Sequence, residues 1–182
     1  MHNQEIAEER IAYCKAHKIE YLNLADLHLD ALPESISELT WLGALSVSRN
    51  NLNNIDALST LTNLHKLAFS ENNIKNIEVL AKLPKLRHIF MKHNQITEIT
   101  VLQHLHRLKK IEANHNHIKE IQSITELKQF VFLDVAHNAI SNLLPIIQIP
   151  SLVWLCIEEN PHTIESYGII KKSLSKLAHF SY

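Results

Sequence analysis

The sequence has little glycine, little cysteine and almost no net charge. Only 2 of its 182 residues are glycine and 2 are cysteine, and 18 Lys and Arg nearly balance 19 Asp and Glu. Two glycines leave little room for a phosphate-binding loop, and two cysteines are too few for a disulfide framework. The balanced charge argues against a protein whose main task is electrostatic capture of nucleic acid or of an anionic membrane.

Long hydrophobic runs are also missing. No stretch approaches the roughly 18 apolar residues that would span a bilayer, and residues 1–10 are acidic, without the apolar segment of a signal peptide. Cys14 and Cys156 are the only cysteines, and so few cysteines are typical of a protein from a reducing compartment. The sequence therefore predicts a soluble cytoplasmic protein, of a length that suits one domain or one elongated array.

Leucine and isoleucine are abundant, with 27 and 22 copies, enough to fill a core and to exclude disorder. Their positions repeat together with an asparagine every 22 residues, at Asn50, Asn72, Asn94, Asn116, Asn138 and Asn160. In the unit that begins at Leu86, apolar residues occupy offsets 1, 4, 6, 11 and 14, and Asn94 occupies offset 9. A fixed period of this kind indicates an array of stacked structural units.

This pattern resembles the leucine-rich repeat family, in its short class with the consensus LxxLxLxxNxIxxIxxLxxLxx, and is similar to the repeats of phosphatase regulators and bacterial internalins. The resemblance covers residues 19–161, as seven repeats. It implies an α/β solenoid, a right-handed superhelix with one short parallel strand per repeat on a concave face and turns or 3₁₀ segments on the convex side. The first repeat departs from the consensus, with Leu27 in place of the asparagine.

The residues explain this architecture. Alternation around offsets 4 and 6 has the period of a strand, so offsets 3, 5 and 7 are expected to point out of the sheet. The asparagine at offset 9 follows the strand, where its amide can bond to backbone groups that a turn leaves unpaired, and stacked repeats are expected to form an asparagine ladder. We also expect this asparagine to adopt the left-handed conformation in place of glycine.

Both ends of a solenoid need a cover over the core and the strand edge. Residues 1–18 are predicted to form an N-terminal capping helix, because Ala7, Ile11 and Cys14 have helical spacing. Residues 162–182 resemble the family's C-terminal cap, with a helix predicted at roughly 166–178. With both caps, the chain is expected to be one complete, continuous domain.

Catalytic and cofactor motifs are absent from the sequence, which has no nucleophile elbow, P-loop, dinucleotide fingerprint or H-E-x-x-H. We therefore predict no catalytic residue, no cofactor and no metal site, although an enzyme of unknown type stays an alternative. The 13 histidines are unusual. His93, His115 and His137 share offset 8 and are expected to form a file about 5 Å apart, which suggests metal binding or pH sensing as a further alternative.

Residues exposed on the strands are the candidates for function, because the repeat does not dictate them. Phe132 and Trp154 are expected to be neighbours that face solvent as binding anchors, unless they pack on each other or under the cap. Lysines near the middle of the face are candidates for steering an acidic partner, unless they only form a solvated surface. The predicted protein-binding residues are Trp154, Phe132, Phe90, Lys66, His88, Lys92, Lys110, Glu112, Asp134, Cys156, Glu158 and Tyr21.

The sequence thus predicts a non-enzymatic recognition module that binds one protein partner in its concave face and is a monomer when free. No nucleic-acid or membrane partner is expected. Two biological roles stay open: an immunity or antidote protein that inhibits a cognate toxin, and a regulatory or targeting subunit of an enzyme.

Overall fold

The computed structural model describes residues 2–161, 164–174 and 177–181. Its strands, each three residues long, are β1 (Tyr21–Asn23), β2 (Ala44–Ser46), β3 (Lys66–Ala68), β4 (His88–Phe90), β5 (Lys110–Glu112), β6 (Phe132–Asp134), β7 (Trp154–Cys156) and β8 (His179–Ser181). The helices are α1 (His2–His17) and α2 (Ile164–Ser173), with 3₁₀ helices η1 (Glu34–Glu38), η2 (Asp56–Thr60), η3 (Glu78–Lys82), η4 (Thr100–His104), η5 (Gln122–Glu126) and η6 (Leu144–Gln148).

The strands form one parallel sheet in the order of the sequence, from β1 to β8. Residues at the same offset are register partners, so that Leu67 pairs with Ile89 and Ile89 pairs with Ile111. These central residues are fully buried, as the alternation of the strand requires. Each of the first six coils returns through a 3₁₀ helix that buries at least one apolar residue, such as Leu58 in η2. The predicted solenoid with a concave parallel sheet is confirmed.

The asparagine ladder satisfies the backbone at the turn after each strand. Asn72 accepts a hydrogen bond from the Leu52 N–H at 3.0 Å, and its amide nitrogen donates to the carbonyls of Val47 and Phe69, both at 3.0 Å. Leu52 and Val47 belong to the preceding coil, so each asparagine ties two coils together. The same contacts recur at Asn94.

One expectation about this turn is wrong. The residue in the left-handed conformation is not the ladder asparagine but the residue before it, with φ of 57° at Glu71, 52° at His93 and 54° at His115. The asparagine side chain is committed to backbone hydrogen bonds and the asparagine itself is not among the residues with positive φ, so the left-handed position falls on offset 8. Glutamate and histidine there adopt a conformation that costs energy for residues other than glycine.

Helix α1 covers the first coil and the free edge of β1. Ala7, Ile11 and Cys14 are buried against the core, as their spacing predicts. The Arg10 guanidinium donates to the Asn23 carbonyl at 2.9 Å, and the Cys14 thiol donates to the Ile19 carbonyl at 3.2 Å. The helix thus covers apolar surface and satisfies backbone groups at this end of the sheet.

The C-terminal end differs from the prediction. Helix α2 ends at Ser173, so the helix expected at 166–178 is too long, and β8 pairs with β7 as an eighth strand that the sequence does not predict. After the helix the chain returns to the open edge of β7, where the Ala178 N–H donates to the Val153 carbonyl at 2.8 Å. Residues 1, 162–163, 175–176 and 182, which belong to the predicted caps, lie outside the described residues.

The apolar side chains from Ala7 in α1 to Leu174 after α2 form one contiguous core. In the ranges that the structure describes, neither α-helix combines the length and the apolar character needed to cross a bilayer.

Candidate binding surface on the concave face

The exposed face of the sheet carries side chains in rows, because parallel register places each offset beside the same offset of the next coil. The row at offset 3 is the most varied, since it joins small, basic and aromatic residues. It consists of Tyr21, Ala44, Lys66, His88, Lys110, Phe132, Trp154 and His179, one from each strand. We call this row the central row.

Three aromatic rings stack at the C-terminal end of the central row. The Phe132 and Trp154 centroids lie 4.0 Å apart with the planes within 5°, and the Trp154 and His179 centroids lie 4.7 Å apart with the planes within 9°. We call these three residues the aromatic stack. Phe132 and Trp154 are neighbours as expected, but they cover each other's faces and are only partly exposed. Their edges form the surface available to a partner.

Lysine ammonium groups extend this stack towards the middle of the sheet. Lys110 Nζ lies 3.9 Å from the centroid of Phe132, and both Lys110 and Lys66 lie 5.4 Å from the centroid of Phe90. These distances are within the range of cation–π attraction. Lys110 also pairs with Glu112 on its own strand, with an Nζ to Oε1 distance of 2.9 Å. Phe90 is therefore linked through Lys110 to the aromatic stack and is not isolated.

Asp134 is less available than the sequence suggests. It is only 9% exposed, and it accepts hydrogen bonds from the Asn114 amide and from the Ala136 N–H. Burial raises the pKa of its carboxyl, an effect that these two hydrogen bonds oppose. Asp134 therefore braces the sheet surface more than it presents charge to a partner.

The remaining predicted residues lie around this group rather than in it. Lys92 and Glu158 are half-buried at offset 7, and Glu158 accepts a hydrogen bond from the Ser181 hydroxyl of β8. Cys156 is half-buried at offset 5, and Tyr21 is 53% exposed on the edge strand β1, away from the aromatic stack. A shallow concavity of about 260 Å³ lies beside Phe90. Its lining is Ser48, Arg49, Lys66, Ala68, Ser70, Glu71, Phe90, Lys92 and Glu112.

The sequence interpretation missed His179 and the row at offset 2. His179 completes the aromatic stack, but it belongs to the unpredicted strand β8. Offset 2 precedes the strand and contains the exposed His65 and Arg87 and the half-buried Lys109 in the middle of the array. Val131 and Val153 follow at the same offset and are 38% and 40% exposed. The sequence contains a signal for this row, because in each of these coils the residue at offset 2 is basic or apolar where the residue at offset 3 is.

The histidine file forms as predicted, with centroid separations of 4.2 Å from His93 to His115 and 4.1 Å from His115 to His137. The planes lie within 10° of parallel, so the ring nitrogens, whose lone pairs lie in the ring planes, do not converge on one metal ion. Among the described residues, no cluster of three metal-ligating side chains is found. Burial, and then the charges of the other two rings, lower the pKa of His115.

The two thiols do not favour covalent chemistry. Burial raises the pKa of Cys14 and, as the largest of several effects, that of Cys156, which reduces the thiolate fraction that a nucleophile needs. The arrangement on the concave face is suited to binding, because it combines rigid aromatic edges with fixed cations.

Part of the repeat array matches a known family of repeats. Residues 62–104 match the family described as Leucine Rich repeats (2 copies). No curated protein matches the chain. Among solved structures, an internalin (inlF) from Listeria monocytogenes is similar with a TM-score of 0.70 and 24% identity, over 82% of this chain and 50% of the internalin.

Two further solved structures show the same fold. A leucine-rich repeat protein of Leptospira interrogans has a TM-score of 0.77 and 24% identity, over 84% of this chain and 40% of that protein. Internalin C2 of Listeria monocytogenes has a TM-score of 0.70 and 18% identity, over 98% of this chain and 91% of the internalin. This chain spans half or less of the length of the inlF internalin and of the Leptospira protein.

Proposed function

We propose that this protein, which is built of leucine-rich repeats, binds a protein partner through its concave face and has no catalytic activity of its own. The repeat fold commonly serves as a protein interaction module. The observation that carries the proposal is the aromatic stack, in which Phe132 and Trp154 are half-exposed and the Lys110 ammonium lies over the Phe132 ring.

The stack is a favourable anchor because it is already ordered. Trp154 is held between two rings, on a three-residue strand whose central residue Leu155 is fully buried. Binding of a partner to this surface would lose little side-chain conformational entropy, because the rings are already ordered. Large aromatic side chains also contribute most of the binding energy in many interfaces. Lys110 lies against Phe132, and the Lys66 ammonium lies 5.4 Å from the centroid of Phe90, so both cations would set the orientation of a charged partner.

The experiment begins with capture of partners by the immobilised chain, followed by identification by mass spectrometry. The affinity of each candidate is then measured for the wild type, Trp154→Ala and Phe132→Ala. We expect each substitution to weaken binding at least about tenfold, as removal of a hot-spot aromatic does. Unchanged affinity in both variants for every captured protein contradicts the proposal.

Tyr13→Ala is the matched control, because Tyr13 is 61% exposed on α1, which packs against β1 and η1 at the opposite end of the array from the aromatic stack. We expect this variant to bind as the wild type does. Urea denaturation of all three variants shows whether a loss of affinity comes from unfolding.

The biological role follows from what binding does to the partner. If a captured enzyme loses activity in an equimolar complex, the chain acts as an inhibitor of the immunity type. If activity is kept while substrate choice or location changes, the chain acts as a regulatory or targeting subunit.

A further inference from the structure

Basic side chains cluster at the N-terminal ends of three neighbouring strands. Offsets 2 and 3 of the coils that contain β3, β4 and β5 carry six basic residues and no acidic one. We call this cluster the basic patch. It consists of His65, Lys66, Arg87, His88, Lys109 and Lys110.

The basic patch continues directly into an apolar surface. The same two offsets in the next two coils carry Val131, Phe132, Val153 and Trp154, of which the valines are among the most exposed large apolar residues described. Register pairs Lys110 with Phe132 and Phe132 with Trp154, so the two surfaces meet without a gap. A molecule lying across the strands along offsets 2 and 3 would contact cations first and apolar side chains next.

We propose that this surface binds an acidic segment of the protein partner, with adjacent apolar residues of the same segment seated on Val131, Phe132, Val153 and Trp154. The inference rests on the proposed function and specifies the chemistry of the partner. Charge complementarity supports it, because the patch concentrates positive charge on a chain whose formal net charge is −1.

His88 shows how closely the cations are packed. It is half-buried in the centre of the patch, with Lys66 as its register partner on one side and Lys110 on the other. Burial lowers the pKa of His88, and the charges of Lys66, His65, Lys110 and Lys109 lower it further. An anion placed over His88 would relieve this repulsion among five groups.

Dimensions limit the length of the acidic segment. Three neighbouring strands span about 10 Å at the usual separation of 4.8 Å, which an extended peptide covers with about three residues. Two further strands lie within reach of the next three residues. The expected motif is therefore two or three acidic residues followed or preceded, within about three positions, by large apolar residues.

A nucleic acid fits this surface less well than a peptide does. Outside the patch, Glu112 at offset 5, which is ion-paired with Lys110, and Glu158 at offset 7 lie on the exposed side of the sheet, where they would repel a phosphate backbone that extends beyond the patch. The patch is also only three strands wide, whereas nucleic-acid binding gains its strength from many phosphate contacts.

The test is selection from a display library of random 16-residue peptides on the immobilised full chain. Affinities of the selected peptides are then measured at 150 mM salt for the wild type and the double variant Lys66→Glu with Arg87→Glu. Both residues are exposed and neither contacts the aromatic stack. The matched control is Lys82→Glu with Lys119→Glu, which changes the net charge equally at exposed positions outside the patch.

We expect the selected peptides to carry the acidic and apolar motif. The patch variant should weaken their binding at least about tenfold, and the control variant less than about twofold. Peptides without acidic enrichment that still lose affinity with Trp154→Ala overturn the inference but leave the proposed function intact. Peptides whose affinity is changed neither by the patch variant nor by Trp154→Ala contradict the inference and the proposed function alike. If every recovered peptide binds the patch variant as well as the wild type, or if no peptide is recovered, the inference is overturned.

A labelled 12-nucleotide oligothymidine serves as the probe for the competing class of ligand. We expect no saturable binding at 150 mM salt. Oligothymidine binding tighter than that of the selected peptides, and lost in the patch variant, overturns the inference in favour of single-stranded nucleic acid.

Discussion

Two columns of side chains run along this solenoid and differ in how strictly they repeat. The asparagine ladder uses one residue type in six successive coils, each bonded to backbone groups of its own coil and of the preceding coil. The central row uses a different residue in nearly every strand. The backbone is the partner of the ladder and is the same in every coil, whereas the central row faces solvent or a ligand. Variation within the repeat therefore marks the surface available for function.

The largest effect is expected in the ladder, from Asn72→Ala. Asn72 is 8% exposed, and its removal leaves the buried Leu52 N–H without its acceptor. The carbonyls of Val47 and Phe69 each lose one of two donors and keep the amides of Asn50 and Asn94. We expect the free energy of unfolding to fall by about 3 kcal/mol, since one orphaned buried N–H costs about 1–3 kcal/mol and each further lost hydrogen bond about 1 kcal/mol. Urea denaturation measures this loss. The neighbouring exposed Asn73→Ala is the control, and equal losses in both variants would show that the ladder contacts contribute nothing special.

A smaller effect is expected at the left-handed position beside the ladder. Glu71 has φ of 57°, which a β-branched residue adopts only with strain. Glu71→Val should therefore lower the free energy of unfolding by about 1.5 kcal/mol, while Glu71→Asn should not lower it. Thermal and urea unfolding compare the two variants. A valine variant as stable as the asparagine variant would show that offset 8 does not require the left-handed conformation.

The histidine file predicts a dependence of stability on pH. His115 has a folded-state pKa below its ordinary value of 6.5, because burial and the charges of His93 and His137 disfavour its protonation. The folded chain binds this proton less readily than the unfolded chain. Its contribution to stability is thus present above pH 6.5 and is lost as the pH falls through the folded-state pKa.

His115→Asn removes this titration and keeps a residue that tolerates the left-handed conformation. We expect the urea midpoint of the wild type to fall more steeply between pH 7.5 and pH 5.5 than that of the variant. Parallel pH profiles for the two proteins would show that stacking of the three rings does not affect their protonation.

The smallest effect is expected in the central row, as a pH dependence of binding. In the free chain burial and the nearby lysines lower the pKa of His88, and a bound carboxylate would raise it, so the complex takes up a proton. The affinity for a selected acidic peptide should therefore increase as the pH falls from 7.5 to 5.5. For one proton the gain is no more than about tenfold per pH unit.

His88→Gln should remove most of this pH dependence while the affinity at pH 7.5 stays close to that of the wild type. Calorimetric titrations at three pH values measure both quantities. A pH dependence that survives in the variant assigns the proton uptake to another group, such as a carboxyl of the peptide.

Much of the fold is predictable because apolar residues that recur at fixed offsets of a 22-residue repeat indicate which side chains are buried. The offsets of leucine and isoleucine predict seven of the eight strands, the register of the sheet and the ladder. The eighth strand is not predictable in this way, since His179, Phe180 and Ser181 follow a helix and continue no repeat. The length of α2 was overestimated for a related reason, because Leu174 and Leu177 keep helical spacing after the helix has ended.

The candidate surface is only partly predictable. Equal offsets in adjacent coils predict that Phe132 lies beside Trp154 and that the three histidines form a file. Whether neighbouring rings stack depends on side-chain packing that a repeat pattern does not encode. The same is true of which residues beside the strands join the candidate binding surface. For this reason offset 2, with its basic residues and two exposed valines, was missed.

The periodic positions of the chain are thus enough to specify a parallel solenoid, because every coil must bury the same offsets and satisfy the same turn. Folding in three dimensions adds what the repeat leaves free. It returns the chain after α2 to the open edge of β7, and it places His179 against Trp154. It also brings six basic residues from three coils into one patch beside the aromatic stack. The physical reason is that burial acts on each coil alike, whereas surface chemistry arises from contacts between coils.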